Sequence, residues 1–189
     1  MTKINNVDLF MLTGDEAERL KKTQENASYS VRSCIPAIIK SINYDTMTVE
    51  AQPAIREIMS ENGNYVNVDL PLLVDVPLYF PNSSKFSITF PIAVEDECLI
   101  FFSDMCIDAW WQNGGIQNQF EVRRHDLSDG FCIPSNLSQA KKITNFNSDY
   151  LEIKNNETGV KIEIRDNTIL VAGIDIVALA QRVTNLEPV

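Results

Sequence analysis

Histidine is nearly absent: the 189-residue chain holds one, His125. Metal-dependent phosphohydrolases assemble several imidazoles around their ions, so that chemistry is excluded. Cysteine is sparse as well. The four thiols, Cys34, Cys98, Cys106 and Cys132, form no CxxC pair. A zinc site needs closely spaced ligand pairs, and buried reduced thiols are the expected state instead. No metal and no cofactor is expected. The seven glycines never gather into a phosphate-cradling loop. Apolar runs are short and broken by proline, as in LPLLVDVPLYFP, and none reaches the roughly 20 residues that span a bilayer. The N-terminus lacks a basic stretch followed by an apolar one, so no signal peptide is expected and the chain should be made in a cytoplasm. Cations are outnumbered, 16 Lys and Arg against 26 Asp and Glu, for a formal net charge of −10. Such a surface repels phosphate backbones, so no nucleic-acid partner is expected.

What the chain does have is strand-period patterning. Hydrophobic residues make up 44%, enough for a globular core. Residues 14–29 are polar, with Leu20 the only large aliphatic, and residues 1–31 are expected to be an N-terminal docking arm. From residue 32, SCIPAIIKSI, a turn at NYDT and MTVEAQPAI read as a hairpin. Asn43 and Asp45 supply turn chemistry, and Met47, Val49 and Ala51 alternate inward. A loop is expected at residues 61–64, a strand pair in YVNVDLPLLVDVPLYF, and further strands in FSITFPI and ECLIFFS. So many short strands in so little chain predict a small barrel of the oligonucleotide/oligosaccharide-binding (OB) type over residues 32–140.

The run SDMCIDAWWQNGG breaks the pattern. It predicts a helix capped by Ser103 or Asp104 and stopped by Gly114 and Gly115. Ile107, Trp110 and Trp111 share one face at i, i+3, i+4, which is expected to plug the open end of the barrel. Asp104 and Asp108 are expected to form a solvated face rather than a cation site. Asp126 and Asp129-Gly130 fit a turn better than a calcium loop. No oriented nucleophile and base emerge, so no catalytic residue is assigned.

The last forty residues alternate strictly between Asn, Asp and Gly turns. Leu151, Ile153, Val160, Ile162, Ile164, Ile169 and Val171 fall on one face, and Glu152, Lys154, Lys161, Glu163 and Arg165 on the other. Three strands with one apolar face are too few for an independent sheet. The expected cover is another copy of the chain, with residues 141–173 forming a three-chain β-structure around an axis lined by those apolar residues. In residues 174–189, Ile176, Leu179, Val183 and Leu186 space as a short helical seam that closes a trimer.

These blocks in this order, VEAQPAI, DVPLYFP, FSITFPIAVEDECLIFF, DAWWQNGG and RRHDLSDGF, resemble the membrane-puncturing central spike proteins of contractile phage tails and related injection machines. The resemblance covers residues about 32 to 135 and is most specific from Asp108 to Phe131. It implies a mainly β chain: an OB-fold domain with one plugging helix, a short intertwined trimeric β-helix as needle, and a short C-terminal helix. It makes Trp110, Trp111, Gly114, Arg124, His125, Asp126, Asp129 and Gly130 structural signature residues. It also implies a homotrimer in the virion, at the tail baseplate, with a hub protein and transient contact with the host envelope; the very short β-helix with a helical end departs from the family and leaves room for a separate tip protein. Members often bind iron through a His-x-His repeat at the needle tip, and here the one histidine lies far upstream. The competing readings are a carbohydrate-binding OB module that uses Trp110 or Trp111 as a platform, and a wall-degrading enzyme, for which no facing carboxylate pair is evident.

Overall fold

The computed structural model describes residues 31–61, 64–135 and 138–186, with Leu20, Lys21 and Thr23 ahead of them. The expected docking arm otherwise lies outside the described residues. The protein is mainly β, and the chain divides into two compact units, Met1–Lys142 and Ile143–Val189.

In the first unit, five strands form one curled half-barrel sheet. These are β1 (Cys34–Asn43), β2 (Thr48–Pro53), β5 (Leu73–Pro77), β6 (Glu97–Phe102) and β7 (Gly130–Pro134), in the order β5-β2-β1-β6-β7. All neighbours in that order pair antiparallel. The two edges meet in a parallel bridge between Leu78 and Cys132, where the Tyr79 N–H donates to the Cys132 carbonyl at 2.8 Å. Alternation explains the core. Ala37 and Ile39, Val49 and Ala51, Leu73 and Val76, Cys98, Ile100 and Phe102, and Cys132 all point inward. Ile39 and Ile100 are wholly buried, each stabilising the fold by about 1.5–3 kcal/mol. Between β2 and β5 two further strands, β3 (Glu57–Glu61) and β4 (Asn64–Val68), pair only with each other. Ion pairs Arg32–Glu57 at 3.4 Å and Arg56–Asp69 at 2.7 Å tie down the base of this hairpin.

Several expectations change here. Asn43 alone makes the first turn, its side-chain oxygen accepting from the N–H groups of Asp45 and Thr46. Met47 sits in that turn at φ 55° with its side chain exposed, so the inward series begins at Thr48 and Val49 instead. FSITFPI is not a strand. Only a single bridge, Asn82 to Ser87, forms there, because Pro91 interrupts the run itself and the five-stranded sheet is already complete. Phe90 nonetheless packs edge-on against buried Phe80, with ring centroids 5.1 Å apart. Of the thiols, Cys98, Cys106 and Cys132 are buried but Cys34 is exposed.

In the second unit, β8 (Leu151–Lys154), β9 (Lys161–Arg165), β10 (Thr168–Val171) and the two-residue β11 (Ile174–Asp175) form an antiparallel meander. A helix, Ile176–Thr184, follows. Its N-terminus is capped by Asp175, whose carboxylate accepts from the Ala178 N–H at 2.9 Å. That bond holds the Asp175 carboxyl below its ordinary value. Asn185 is the C-cap, so Leu186, expected as the fourth seam residue, lies beyond the helix.

Candidate functional site

The signature block is organised by a buried ion pair. Asp129 precedes β7 and is completely inaccessible to solvent. Its carboxylate receives a two-pronged bond from Arg123, Nε to Oδ2 at 2.6 Å and Nη2 to Oδ1 at 3.0 Å. The planar guanidinium fork matches a carboxylate in this way. Arg123 reaches further, to Asp108 at 2.8 Å and Glu121 at 2.9 Å. Asp129 first, then Asp108 and Glu121, hold the guanidinium firmly protonated, well above its ordinary value. Asp129 also accepts from the Ile107 N–H at 2.9 Å.

That last bond sets the start of the short helix α1 (Asp108–Asn113). Its N-cap is Ile107, with no side-chain cap of its own. The expected caps Ser103 and Asp104 lie too early, because a carboxylate 22 residues downstream does the capping. The stop is as expected: Gly114 and Gly115 take φ 64° and 66°, and the Gly114 N–H returns to the Trp110 carbonyl at 2.7 Å. Asp104 and Asp108 are not helix neighbours. Asp104 pairs with Arg124 at 2.8 Å and lies 3.4 Å from His125 Nε2, whereas Asp108 belongs to Arg123. His125 itself adopts φ 49°. Asp126 shapes the following turn by accepting from the Ser128 N–H at 2.9 Å, which holds its carboxyl below the ordinary value. Gly130 is required by space, since a Cβ there would meet Ile100 Cγ2 at 2.8 Å.

The tryptophans do not plug the barrel. Trp110 is 47% exposed and Trp111 40%, while Cys106, Ile107 and Ala109 are buried. Trp110 leans edge-on against Phe131, with centroids 6.0 Å apart. Trp111 instead lines a cleft of about 480 Å³ with residues of β2 and β5. The block therefore brings Asp129, Gly130 and the helix together and leaves both indoles at the surface. Sequence reasoning missed Arg123 and Cys106. The doublet Arg123-Arg124 does not say which arginine turns inward.

Cys106, Asp108 and Asp129 place a thiol and two carboxylates within 4.8 Å of one another, the one grouping among the described residues with metal-ligand spacing. Arg123 already supplies the cation, engaging both Asp129 oxygens and Asp108 Oδ2. Deep in the sheet, the neighbouring Cys98 first and burial second push the Cys132 thiol far above its ordinary value, so it is no nucleophile at neutral pH.

The second candidate site is the apolar face of the C-terminal unit. Register aligns Leu151, Ile164 and Ile169 in one row and Ile153, Ile162 and Val171 in the next. Every one of these is between 40% and 61% exposed. Val160 precedes β9 and its carbonyl accepts from the Asn155 N–H. On the helix, Ile176, Leu179 and Val183 are exposed too.

The opposite face is satisfied within the chain. Register sets Glu152 beside Glu163 and Lys154 beside Lys161, like charge against like, which is unfavourable alone. One diagonal pair, Lys161 with Glu152, and three pairs along the strands resolve it. Lys161 bridges Glu152 at 2.9 Å and Glu163 at 2.6 Å, Lys154 reaches Glu152 at 3.0 Å, and Arg165 closes on Glu163 at 2.5 Å. Arg165 also stacks 4.4 Å from the Tyr150 ring centre. Lys161 in particular holds both glutamates below their ordinary carboxyl value.

No curated protein matches the chain in a sequence search. The family model described as "Phage protein Gp138 N-terminal domain" matches residues 35–135, the stretch that builds the curled sheet, the buried Asp129 and the tryptophan helix. The match takes in more than half of the chain, which is therefore a bacteriophage protein of the Gp138 N-terminal domain family.

Proposed function

We propose that this phage protein is the central spike of a tail baseplate, closing the tail tube at a hub and leading it through the host envelope. The observation that carries the reading is the asymmetry of the C-terminal sheet. One face is a closed ion-pair ladder, and the other is a continuous aliphatic surface open to water in the single chain. Such a face requires a cover, and identical copies around a threefold axis provide one without a further partner. The strand order of the first unit, with its parallel closure, supports an OB-type barrel as the hub-facing domain. The phage family fits a virion component.

In this reading the protein acts mechanically and not as an enzyme. Its partners are two further copies of itself, a hub protein, a separate tip protein and, transiently, the host envelope. Residues 1–31 dock on the hub. Immunogold labelling of virions tests the location: antibodies to the chain should mark the distal end of the tail. Label on the head, or none on intact particles, would overturn the assignment. Deleting residues 1–31 should leave a folded protein that fails to enter tails, whereas loss of folding would assign those residues to the core.

A further inference from the structure

The cleft beside Trp111 is not used by either role described above. It opens between the start of β2, the bulged part of β5 and helix α1. The bulge is specific. Val49 pairs with Val76 and Ala51 with Leu73, so Val74 and Asp75 together oppose Glu50. An extra residue of this kind re-aims a side chain. Asp75 takes φ 52°, a left-handed conformation that costs energy in a non-glycine residue, and it lines the cleft. Across from it stand Asp108 and Gln112 of α1, and the hydroxyls of Thr46 and Thr48 lie 2.8 Å apart on the β2 side. An aromatic ring bordered by carboxylate, amide and hydroxyl groups can stack on a sugar ring while accepting from and donating to its hydroxyls.

We propose that this cleft binds a neutral saccharide, with the Trp111 indole as stacking platform and Asp75 and Gln112 as hydrogen-bonding partners. The charge argues for a neutral ligand: Asp75 lines the cleft, Arg123 only balances Asp108, and the whole chain carries −10, so phosphates and acidic sugars are repelled. The location agrees by fold analogy, since OB-type barrels take oligosaccharides on the face of their second and third strands, here β2 and β5. Trp110, packed on Phe131, does not line the cleft.

The test uses the full chain with chitotriose, maltotriose and cellotriose at millimolar concentration, and 3′-sialyllactose as the acidic comparison. The chain has only two tryptophans, so two indole N–H signals report separately in NMR. At least one neutral sugar should move the Trp111 signal, and Trp111→Ala should weaken its binding roughly tenfold or more. Asp75→Asn should weaken it about threefold, and Trp110→Ala should leave it unchanged. No response to any of the neutral sugars, a response confined to Trp110, or preferred binding of sialyllactose would overturn the proposal. Should Trp111→Ala fail to fold, the wild-type indole shifts and Asp75→Asn decide. The readout lies within one copy of the first unit, so a negative result leaves the spike reading untouched.

Discussion

The two units solve the same problem, covering the apolar face of a β-sheet, in opposite ways. The first curls its sheet until the edges meet, so Ile39, Ile100 and Cys132 are wholly buried by their own chain. The second stays a short meander whose aliphatic rows remain 40–61% exposed, although its charged face is internally paired. The difference lies in strand length and number. Ten-residue β1 is long enough to pair with two neighbours and bend, whereas a four-stranded meander with no strand longer than five residues has no such central strand and cannot close on itself. A sheet that cannot close leaves an aliphatic face in need of a cover.

The largest effect should follow from breaking the open face. Ile162→Asp puts a carboxylate into the middle of the aliphatic rows, beside Ile153 and Val171. If three copies cover that face, three desolvated carboxylates meet without a counter-charge. Sedimentation should then show monomer or aggregate while the near-ultraviolet spectrum of the first unit is retained. Glu157→Gln, in the exposed turn between β8 and β9, is the neutral control. Lys161→Asp, which the alternation alone marks as harmless, is not, because Lys161 bridges Glu152 and Glu163.

In the first unit, Asp129→Ala removes the partner of a partly buried guanidinium and the cap of α1 together. Breaking a buried pair costs about 3–5 kcal/mol, which a urea titration reads as a shifted midpoint, with assembly through the C-terminal unit unaffected. Gly130→Ala forces a Cβ against Ile100 at 2.8 Å, an overpacking that costs about 1–3 kcal/mol.

Acid should produce the smallest effect and separate the units by mechanism. Glu152 and Glu163 have depressed folded values. Their contribution is therefore fully present above the ordinary carboxylate value and disappears as pH falls below it, through the depressed values. Titrating from neutral pH, circular dichroism of the C-terminal sheet should hold down to the ordinary glutamate value of about 4.3 and weaken only below it. Loss of the sheet signal already near neutrality would contradict the ladder.

The strands were legible wherever alternation was strict. β2, β6 and the rows of β8 to β10 follow from period alone. The places where the reading failed are governed by distant groups. The start of α1 depends on Asp129, 22 residues away. The i, i+3, i+4 spacing of Ile107, Trp110 and Trp111 names a shared face but not which side the barrel lies on, and on a six-residue helix the neighbouring Ala109 is the buried residue. FSITFPI has a strand's period but no strand to pair with. Arg123 differs from Arg124 only through the tertiary position of Asp129.

Sedimentation equilibrium of the intact chain tests the central claim most directly, the proposal that copies of the chain cover the open aliphatic face of the C-terminal sheet. The account predicts a single species of three copies of the 21.3 kDa chain, persisting on dilution. A stable monomer that stays soluble and binds no apolar dye on its C-terminal sheet would contradict it.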